Sequence, residues 1–414
     1  MQPVIPRGEL DFHPHSFGDP DGRLFRWNGE LYRGIRVEKA PFYSRLFNDG
    51  VMQRLAERGL FVKSEVTEFA VDGYAMVIHH RMVPFPSYPN EWCAAMFKDA
   101  TLAALDLGLE LAQDNLTLKD HHLWNLLFDG CHPVYVDLTS IVPARLGSRW
   151  PNYDKFCRYC FHPLLLMVVG HERIARHLLP DYEGVQPAET AALTREAPRS
   201  IRKLVGYRPK DSSSQADYLR ELRELIGKIE LPASTEPTEI QPNSLETLLR
   251  DLRPHSVLDI ASPGGWGVRL AACAGAHAVY FESNSARVTQ VYRQASARAL
   301  ILPLVMDFTK PTPSIGFGGH YSIAASERFL CEMVLAYDLV PRLVFERYLT
   351  FEQIADGLAM FATRWAVVDF TPRNSELFPW YNLDGFCGAL RKRFRRVNLV
   401  GGESTCAKVM LCEK

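Results

Sequence analysis

Three acidic residues in the C-terminal half of the chain lie at or near the ends of short apolar runs. Asp259 lies within the first run, Glu282 ends the second, and Asp307 follows the third. The carboxyl ends of parallel strands meet at one edge of an open α/β sheet, where ligands bind, so we expect these carboxylates to line one crevice. An acid at the position of Glu282 can accept hydrogen bonds from the ribose hydroxyls of a nucleoside. The alternative for Asp259 alone is a turn or helix cap.

A glycine-rich loop follows the first of these runs directly. It reads Ser262-Pro-Gly-Gly-Trp-Gly267 and leads into a predicted helix near Val268. Glycines allow backbone N–H groups and a helix N-terminus to approach a cofactor closely. We therefore predict that Gly264, Gly265 and Gly267 bind a cofactor. Trp266 could stack on a ligand, but packing is the favoured interpretation.

A second polar set lies in the N-terminal half. After a predicted hairpin at Asn28-Gly29, a helix over 41–58, two strands over 61–69 and 74–83, and a long helix over 90–113, the chain reaches a loop of polar residues. Its candidate residues are Asp120, Asn125 and Asp137. This order resembles the protein-kinase-like fold.

The kinase-like resemblance implies specific roles for the three residues. Asp120 would orient a hydroxyl nucleophile, while Asn125 and Asp137 would hold Mg²⁺ on the phosphates of ATP. No glycine-rich phosphate loop precedes them, and Lys63 is the lysine best placed by sequence order. Turn capping by Asx side chains is the alternative. A degenerate scaffold that binds a substrate or partner is favoured over an active kinase.

Composition and charge exclude several protein classes. The 414 residues are 47% hydrophobic and 23% charged, with a formal net charge of -1, which is typical of a globular chain and does not favour a binder of duplex nucleic acid. The chain opens without an apolar leader and contains no apolar run of roughly 18 residues, so we expect a cytoplasmic protein without a membrane span. Cys157 and Cys160 are interpreted as packed helix cysteines, and His121 and His122 as structural, so no metal site is predicted.

Three segments divide the predicted architecture. Proline-dense polar sequence over 231–244 is predicted to be a linker. It separates a kinase-like α+β domain with a helical extension, 1–230, from a Rossmann-like α/β domain, 245–414. The expected fold class is therefore α/β for the C-terminal domain, preceded by an α+β unit.

The C-terminal motifs resemble a known family. The stretch Val257 to Gly267 resembles motif I of class I S-adenosylmethionine (SAM) methyltransferases. More narrowly, the stretches 302–307, 326–328, 349–355 and 367–372 look like those of a bacterial group that includes nodulation-type proteins. The resemblance implies SAM as cofactor, with Glu282 at the ribose and Asp307 beside the adenine. The complete predicted cofactor set is Asp259, Ala261, Gly264, Gly265, Gly267, Glu282 and Asp307.

The chain departs from that group at two positions. Ala261 stands where motif I usually has a glycine, which would alter the close approach to the methionine moiety. Pro341-Arg342 stands where the group tends to carry paired histidines, so a general base would be lost there, and the proline would kink or end a helix. Asp369, which ends a predicted strand, is the candidate catalytic residue on the substrate side, with a solvated strand-end carboxylate as the alternative.

These observations predict a SAM-dependent methyltransferase. By resemblance the acceptor is a hydroxyl or amine of a saccharide or other small metabolite, and Asp369 and Asp120 are the candidate catalytic residues of the two domains. One alternative is a catalytically degenerate SAM- or partner-binding protein, and another is a bifunctional kinase and methyltransferase that also uses ATP and Mg²⁺. The loop also resembles that of RNA 2'-O-methyltransferases, but Lys310 and Lys408 have no convincing partners for that chemistry.

Overall fold

An antiparallel sheet of five strands occupies the N-terminal part of this computed structural model. Its strands are β1 (Asp11–Phe12), β2 (Gly22–Trp27), β3 (Glu30–Ile35), β4 (Ser64–Val66) and β5 (Met76–His80), in the spatial order β1-β2-β3-β5-β4. Asn28 and Gly29 have φ values of 51° and 82°, as a two-residue hairpin turn requires, which confirms the predicted hairpin. The helix predicted over 41–58 is divided at Gly50, whose φ is 74°. The two resulting helices are α1 (Ala40–Asn48) and α2 (Val51–Glu57).

A helical region with two small two-stranded sheets follows the first sheet. Its helices are α3 (Ala94–Ala112), α4 (Tyr153–Phe156), α5 (His162–Val168), α6 (Glu172–Leu178), α7 (Pro187–Leu193), α8 (Arg199–Arg202) and α9 (Gln215–Gly227), and its strands are β6 (Leu116–Leu118), β7 (Leu126–Asp129), β8 (His132–Tyr135) and β9 (Ile141–Pro143). β6 pairs with β9 and β7 with β8, both antiparallel. The helix pair, two strands, the long helix α3, a loop and the hairpin of β7 and β8 follow one another along the chain in the order predicted from the sequence.

The C-terminal part is built on a mixed sheet of seven strands. Its strands are β10 (Ser256–Ile260), β11 (His277–Glu282), β12 (Ile301–Val305), β13 (Cys331–Ala336), β14 (Ala362–Phe370), β15 (Arg396–Gly401) and β16 (Lys408–Glu413). Its helices are α10 (Asn243–Leu252), α11 (Trp266–Cys273), α12 (Ser285–Gln294), α13 (Ala325–Arg328), α14 (Val340–Phe345), α15 (Phe351–Phe361) and α16 (Leu383–Arg391).

The strand order of this sheet creates a crevice at its carboxyl edge. The order is β12-β11-β10-β13-β14-β16-β15, with β10 to β14 parallel and β16 antiparallel to both of its neighbours. The chain progresses outward in one direction from β10 and in the other from β13, so the sheet has a topological switch point between these two strands. Ligands of open α/β sheets bind at such a point.

The two sheet-bearing parts pack directly on each other. The Cys131 thiol donates to the Ile301 carbonyl at 3.2 Å, and the Tyr292 hydroxyl of α12 donates to Asp99 of α3 at 2.8 Å. The Arg328 guanidinium reaches Glu91 in the loop before α3, and both side chains are buried. One large hydrophobic core therefore runs through both parts, beside a smaller separate cluster in the N-terminal sheet.

The structure describes residues 3–13, 16, 18–145, 150–209, 214–232, 243–296, 299–401 and 407–414. Most of the predicted linker over 231–244 lies outside these ranges. Within them, no helix combines the length and the apolar character needed to cross a membrane.

Candidate functional site

The loop after β10 has the tight backbone that its glycines predict. Gly264 and Gly265 have φ values of 60° and 67° and turn the chain into α11. A side chain at Gly265 would place its Cβ 2.6 Å from Cγ2 of Val291, which is too close for any residue but glycine. Ala261 also has a positive φ, 54°, and its N–H donates to the Phe281 carbonyl at 2.8 Å. An alanine therefore adopts here the left-handed conformation that favours glycine.

Asp259 holds this loop against the start of α11. Its buried carboxylate accepts from the Ser262 N–H at 3.1 Å, the Ser262 hydroxyl at 2.6 Å and the Val268 N–H at 2.6 Å. Burial raises its pKa to about 6. A Cβ at Gly267 would lie 2.8 Å from Oδ2 of Asp259. Asp259 and Gly267 thus shape the loop from beneath, and these hydrogen bonds are those of the turn role that was the alternative for Asp259.

The other two predicted acids lie at the same edge of the sheet. Glu282, at the end of β11, accepts from the Asn284 N–H at 2.8 Å and lies 3.5 Å from a guanidinium nitrogen of Arg287. Asp307, just after β12, accepts from the N–H and the hydroxyl of Thr309 at 2.8 and 2.7 Å. Both carboxylates are therefore anchored by their own loops beside the glycine turn, one strand and two strands away from β10.

Asp369 lies at the opposite side of the switch point, near the end of β14. Its Oδ1 accepts from the Asp338 N–H at 2.8 Å, and burial raises its pKa to about 6. A carboxyl group of this pKa is mostly ionised at neutral pH and is still a better proton acceptor than an ordinary aspartate. Asp369 is thus suited to accept a proton at this edge.

The structure around Pro341 and Arg342 differs from the predicted kink or helix end. Pro341 is in the first turn of α14, where its missing N–H costs nothing, so the expectation that it kinks or ends a helix is wrong. Arg342 extends from this helix across the switch point. Its Nη2 donates to the Ala261 carbonyl at 3.0 Å and its Nε to the Asp338 carbonyl at 2.9 Å. The two positions at which the chain departs from the resembling group are therefore in direct contact.

The residues along this edge fit a nucleoside bearing an amino acid. Acids at the ends of β12 and β11 suit hydroxyl and amine donors, and a glycine turn is the kind of loop that lies beside such a ligand. Trp266 is buried and packs edge to face on Tyr337 at 4.7 Å, so it has a packing role. The arrangement thus places the predicted cofactor residues at one end of this edge and Asp369, the predicted catalytic residue, at the other.

The predicted kinase-like residues also come together. The Asn125 amide donates to Oδ2 of Asp137 at 3.4 Å and to the Tyr135 hydroxyl at 3.1 Å. Asp120 forms an ion pair with Lys155. Burial alone would raise the pKa of Asp120, but the hydrogen bond and charge of Lys155 outweigh it and lower that pKa. The geometry therefore reproduces the predicted cluster, with a lysine added.

Arg33, which the sequence reasoning missed, occupies the centre of this cluster. It lies on β3, its side chain is buried, and it contacts Asp137 at 3.4 Å and Asp19 at 2.9 Å. Lys63, the lysine best placed by sequence order, lies just before β4 at the edge of the sheet, and the cation that contacts Asp137 is Arg33. The sequence feature that could have identified Arg33 is its position as a basic residue on the strand that follows the Asn28-Gly29 turn.

The surroundings of Asp137 do not fit a Mg²⁺-nucleotide. Its Oδ1 already accepts from the Thr139 hydroxyl at 2.8 Å and faces the guanidinium of Arg33. Oδ2 of Asp19, from the loop between β1 and β2, lies 2.5 Å from the same hydroxyl oxygen and competes for its one hydrogen. A glycine-rich loop covers the phosphates at this place in active kinases, whereas here the loop contributes a carboxylate that would repel them.

The cysteine and histidine pairs contribute to packing. Cys157 and Cys160 are buried in a π-helical turn, where burial raises the pKa of both thiols. Burial lowers the pKa of His121 to about 3, and its ring packs edge to face on Trp150. Across the described ranges, His, Cys, Asp and Glu side chains form no group of three or more that could hold a metal ion.

Comparison with known proteins gives one relative along nearly the whole chain. The nodulation protein NoeA of Rhizobium meliloti (strain 1021) is 24% identical over 440 aligned positions, which cover 92% of each chain. No protein-family model matches the sequence. The resemblance to a nodulation-type group that the sequence predicted is confirmed by this relative, and it extends through both sheet-bearing parts.

Two solved structures are similar to part of the chain. Magnesium protoporphyrin IX methyltransferase from Synechocystis PCC 6803, with bound SAH, is 13% identical over 43% of this chain and 90% of its own, with a TM-score of 0.31. The bifunctional kinase-methyltransferase WbdD is 12% identical over 41% of this chain and 37% of its own, also with a TM-score of 0.31. Such low scores decide nothing about the fold, which rests on the strand order given above.

Proposed function

We propose that this chain is a SAM-dependent methyltransferase that acts on a hydroxyl or amine of a saccharide or other small metabolite. One observation carries the proposal: Glu282, the glycine turn and Asp369 lie in sequence along the carboxyl edge of one sheet, on both sides of its switch point. Ligand-binding residues of open α/β sheets occupy this edge. The acceptor class rests on the family resemblance of the sequence motifs alone.

The proposed roles follow from position along the edge. Glu282 accepts hydrogen bonds from the ribose hydroxyls, and Asp307 lies beside the adenine. The turn at Gly264 and Gly265 allows the backbone close to the ligand, while Asp259 keeps that turn in shape through its three hydrogen bonds. SAM, when bound, supplies an electrophilic methyl group.

Asp369 has the proposed role of proton acceptor. Its Oδ1 accepts from the Asp338 N–H, so Oδ2 is the atom that receives a proton from an acceptor hydroxyl or ammonium. A raised pKa of about 6 makes this transfer easier than to an ordinary aspartate. Orientation of the acceptor in a cleft that excludes water supplies the remaining rate enhancement.

The two alternatives differ in their support. A non-catalytic SAM-binding protein is favoured by one observation, the guanidinium of Arg342 lying across the switch point. A bifunctional kinase and methyltransferase has less support, because Arg33 and Thr139 already satisfy Asp137. We therefore treat the N-terminal unit as a degenerate kinase-like scaffold without ATP or Mg²⁺ turnover.

Transfer of labelled methyl groups tests the proposal. The full chain is incubated with methyl-labelled SAM and fractionated small metabolites, including oligosaccharides, beside Asp369→Asn and Asp251→Asn. We expect one fraction to become labelled by the wild type and by Asp251→Asn, a substitution at an exposed position of α10, but not by Asp369→Asn. SAM binding without transfer to any fraction would instead support the non-catalytic alternative.

A further inference from the structure

The side chain of Arg342 crosses the switch point. The inference drawn from its position rests on the proposed function. Its Nη2 donates to the Ala261 carbonyl at 3.0 Å and its Nε to the Asp338 carbonyl at 2.9 Å. These carbonyls belong to the loops after β10 and β13, the two strands that flank the crevice. The guanidinium is therefore held on both walls of the predicted ligand site.

Position along the edge determines which part of a ligand Arg342 meets. The acids Asp307 and Glu282 follow β12 and end β11, and Asp369 is near the end of β14. A nucleoside held by those two acids directs its amino-acid tail over β10 toward β13. Arg342 stands at that point, between the nucleoside end and the proton acceptor.

The charges on the loops after β10 and β13 indicate which group of the ligand's amino-acid tail can bind there. The Ala261 carbonyl, a natural acceptor for an ammonium, already accepts from Arg342. Of the five donors of a guanidinium, those on Nη1 have no hydrogen-bond partner anywhere in the described part of the chain. A carboxylate matches these free donors in charge and in geometry.

We propose that Arg342 is a specificity-determining residue that binds the α-carboxylate of the amino-acid tail of SAM. The guanidinium on the helix after β13 then offers the tail a carboxylate contact, while the Ala261 carbonyl of the loop after β10 is already engaged by Arg342. Binding then depends on the carboxylate more than on the amine of the ligand. No bond is made or broken by Arg342, and its role is recognition.

Matched ligands test this preference without any variant. Calorimetric titration compares SAM, its decarboxylated analogue and its deaminated analogue on the wild-type chain. A charge-assisted contact of this kind predicts that loss of the carboxylate weakens binding about 10- to 100-fold. Loss of the amine should change the affinity by less than about 3-fold, because Arg342 takes one lone pair of the Ala261 carbonyl and its positive charge disfavours an ammonium beside it. The reverse order, with the amine as the important group, would overturn the inference.

Substitution of Arg342 is the second part of this test. Arg342→Gln should weaken SAM binding about 10- to 100-fold and should abolish the preference for the carboxylate, while Arg342→Lys should keep part of both. Arg393→Gln, which removes an exposed guanidinium paired with Asp356, is the control and should bind like the wild type. Circular dichroism checks that each variant is folded. If Arg342→Gln does not fold, the comparison is made with Arg342→Lys instead.

Two results separate failure of the inference from failure of the proposed function. Tighter SAM binding by Arg342→Gln would mean that the arginine competes with the ligand, which contradicts the inference and leaves the methyltransferase proposal intact. A wild-type chain that binds neither SAM nor its demethylated product would contradict the proposed function itself, and the carboxylate preference with it.

Discussion

The guanidinium of Arg328 and the carboxylate of Glu91 form an ion pair between the two sheet-bearing parts, with Nη1 3.0 Å from Oε2. The side chains are only 1% and 0% exposed. The same guanidinium stacks on the Tyr88 ring at 4.2 Å, and the Tyr88 hydroxyl accepts from the Ile323 N–H at 3.1 Å. The two parts are therefore joined by a desolvated polar contact in addition to the shared apolar core.

Removal of one member of this pair should destabilise the whole chain. Arg328→Met leaves the Glu91 carboxylate buried without its cation, and such losses cost about 3–5 kcal/mol of the free energy of unfolding. Denaturant unfolding followed by far-UV circular dichroism and by tryptophan fluorescence measures this. Arg220→Gln, which breaks an exposed pair with Asp217, is the control and should change little. If Glu91→Leu combined with Arg328→Met were less stable than Arg328→Met alone, the uncompensated charge would not be the cause.

Gly267→Ala should damage the loop after β10. The added Cβ would lie 2.8 Å from Oδ2 of Asp259 and 3.3 Å from Cδ1 of Leu335, so the hydrogen bonds of Asp259 must move. We expect a loss of about 1–3 kcal/mol in the free energy of unfolding and weaker SAM binding. Gly388→Ala, in α16 with open space around its Cβ, is the control and should gain about 0.5–1 kcal/mol. Equal effects of the two changes would refute the packing argument.

The raised pKa of Asp369 predicts a pH dependence of stability. In the unfolded chain the group titrates near 3.8 and in the folded chain near 6, so folding favours its protonated form. Relative to Asp369→Asn, the wild type should therefore lose stability as pH rises from about 4 to about 6, by up to about 3 kcal/mol, and stay level above that. Urea unfolding of both proteins at a series of pH values measures the difference. A difference that is independent of pH would contradict the burial argument.

The same pKa predicts how the methyl-transfer rate depends on pH. Asp369 must be ionised to accept a proton, so the rate should rise as pH increases through about 6. Initial rates with the labelled acceptor fraction between pH 5 and 8 measure this limb. A rate that falls over the same interval would remove Asp369 from the role of base.

Arg33, on β3 of the N-terminal unit, should stabilise the folded protein. Arg33→Met leaves Asp19 and Asp137 close together without a buried cation, so the melting temperature should fall by several degrees. ATP with Mg²⁺ should not change the melting temperature of the wild type. A clear increase with ATP and Mg²⁺, lost in Asp137→Ala, would show that the nucleotide site is functional and revive the bifunctional hypothesis.

Local sequence patterns predicted much of the fold. The hairpin at Asn28-Gly29 was predictable because the turn type selects its residues, and the glycine turn before α11 was predictable because a side chain at Gly265 cannot fit. The carboxyl-edge position of Glu282 and Asp307 followed from the rule for parallel sheets. These features depend on neighbours in sequence or on one general rule.

Contacts between distant residues were not predictable in the same way. Arg33 and Asp137 are 104 positions apart, and Glu91 and Arg328 are 237 apart, so no local periodicity reports either pair. The contact of Arg342 with Ala261 was missed because each was considered separately as a departure from a family pattern. Pro341 was misjudged because the start of α14 could not be placed to within one turn from the sequence.

Calorimetric titration of SAM into the full chain tests the central claim most directly. Wild type, Glu282→Gln and Glu352→Gln are compared, because Glu282 is the proposed ribose ligand and Glu352 is an exposed acid on α15 that pairs with Lys392. We predict micromolar binding by the wild type and Glu352→Gln, and an affinity at least about 10-fold lower for Glu282→Gln. No binding by a folded wild type, or equal binding by all three, would contradict the assignment of this edge as a SAM site.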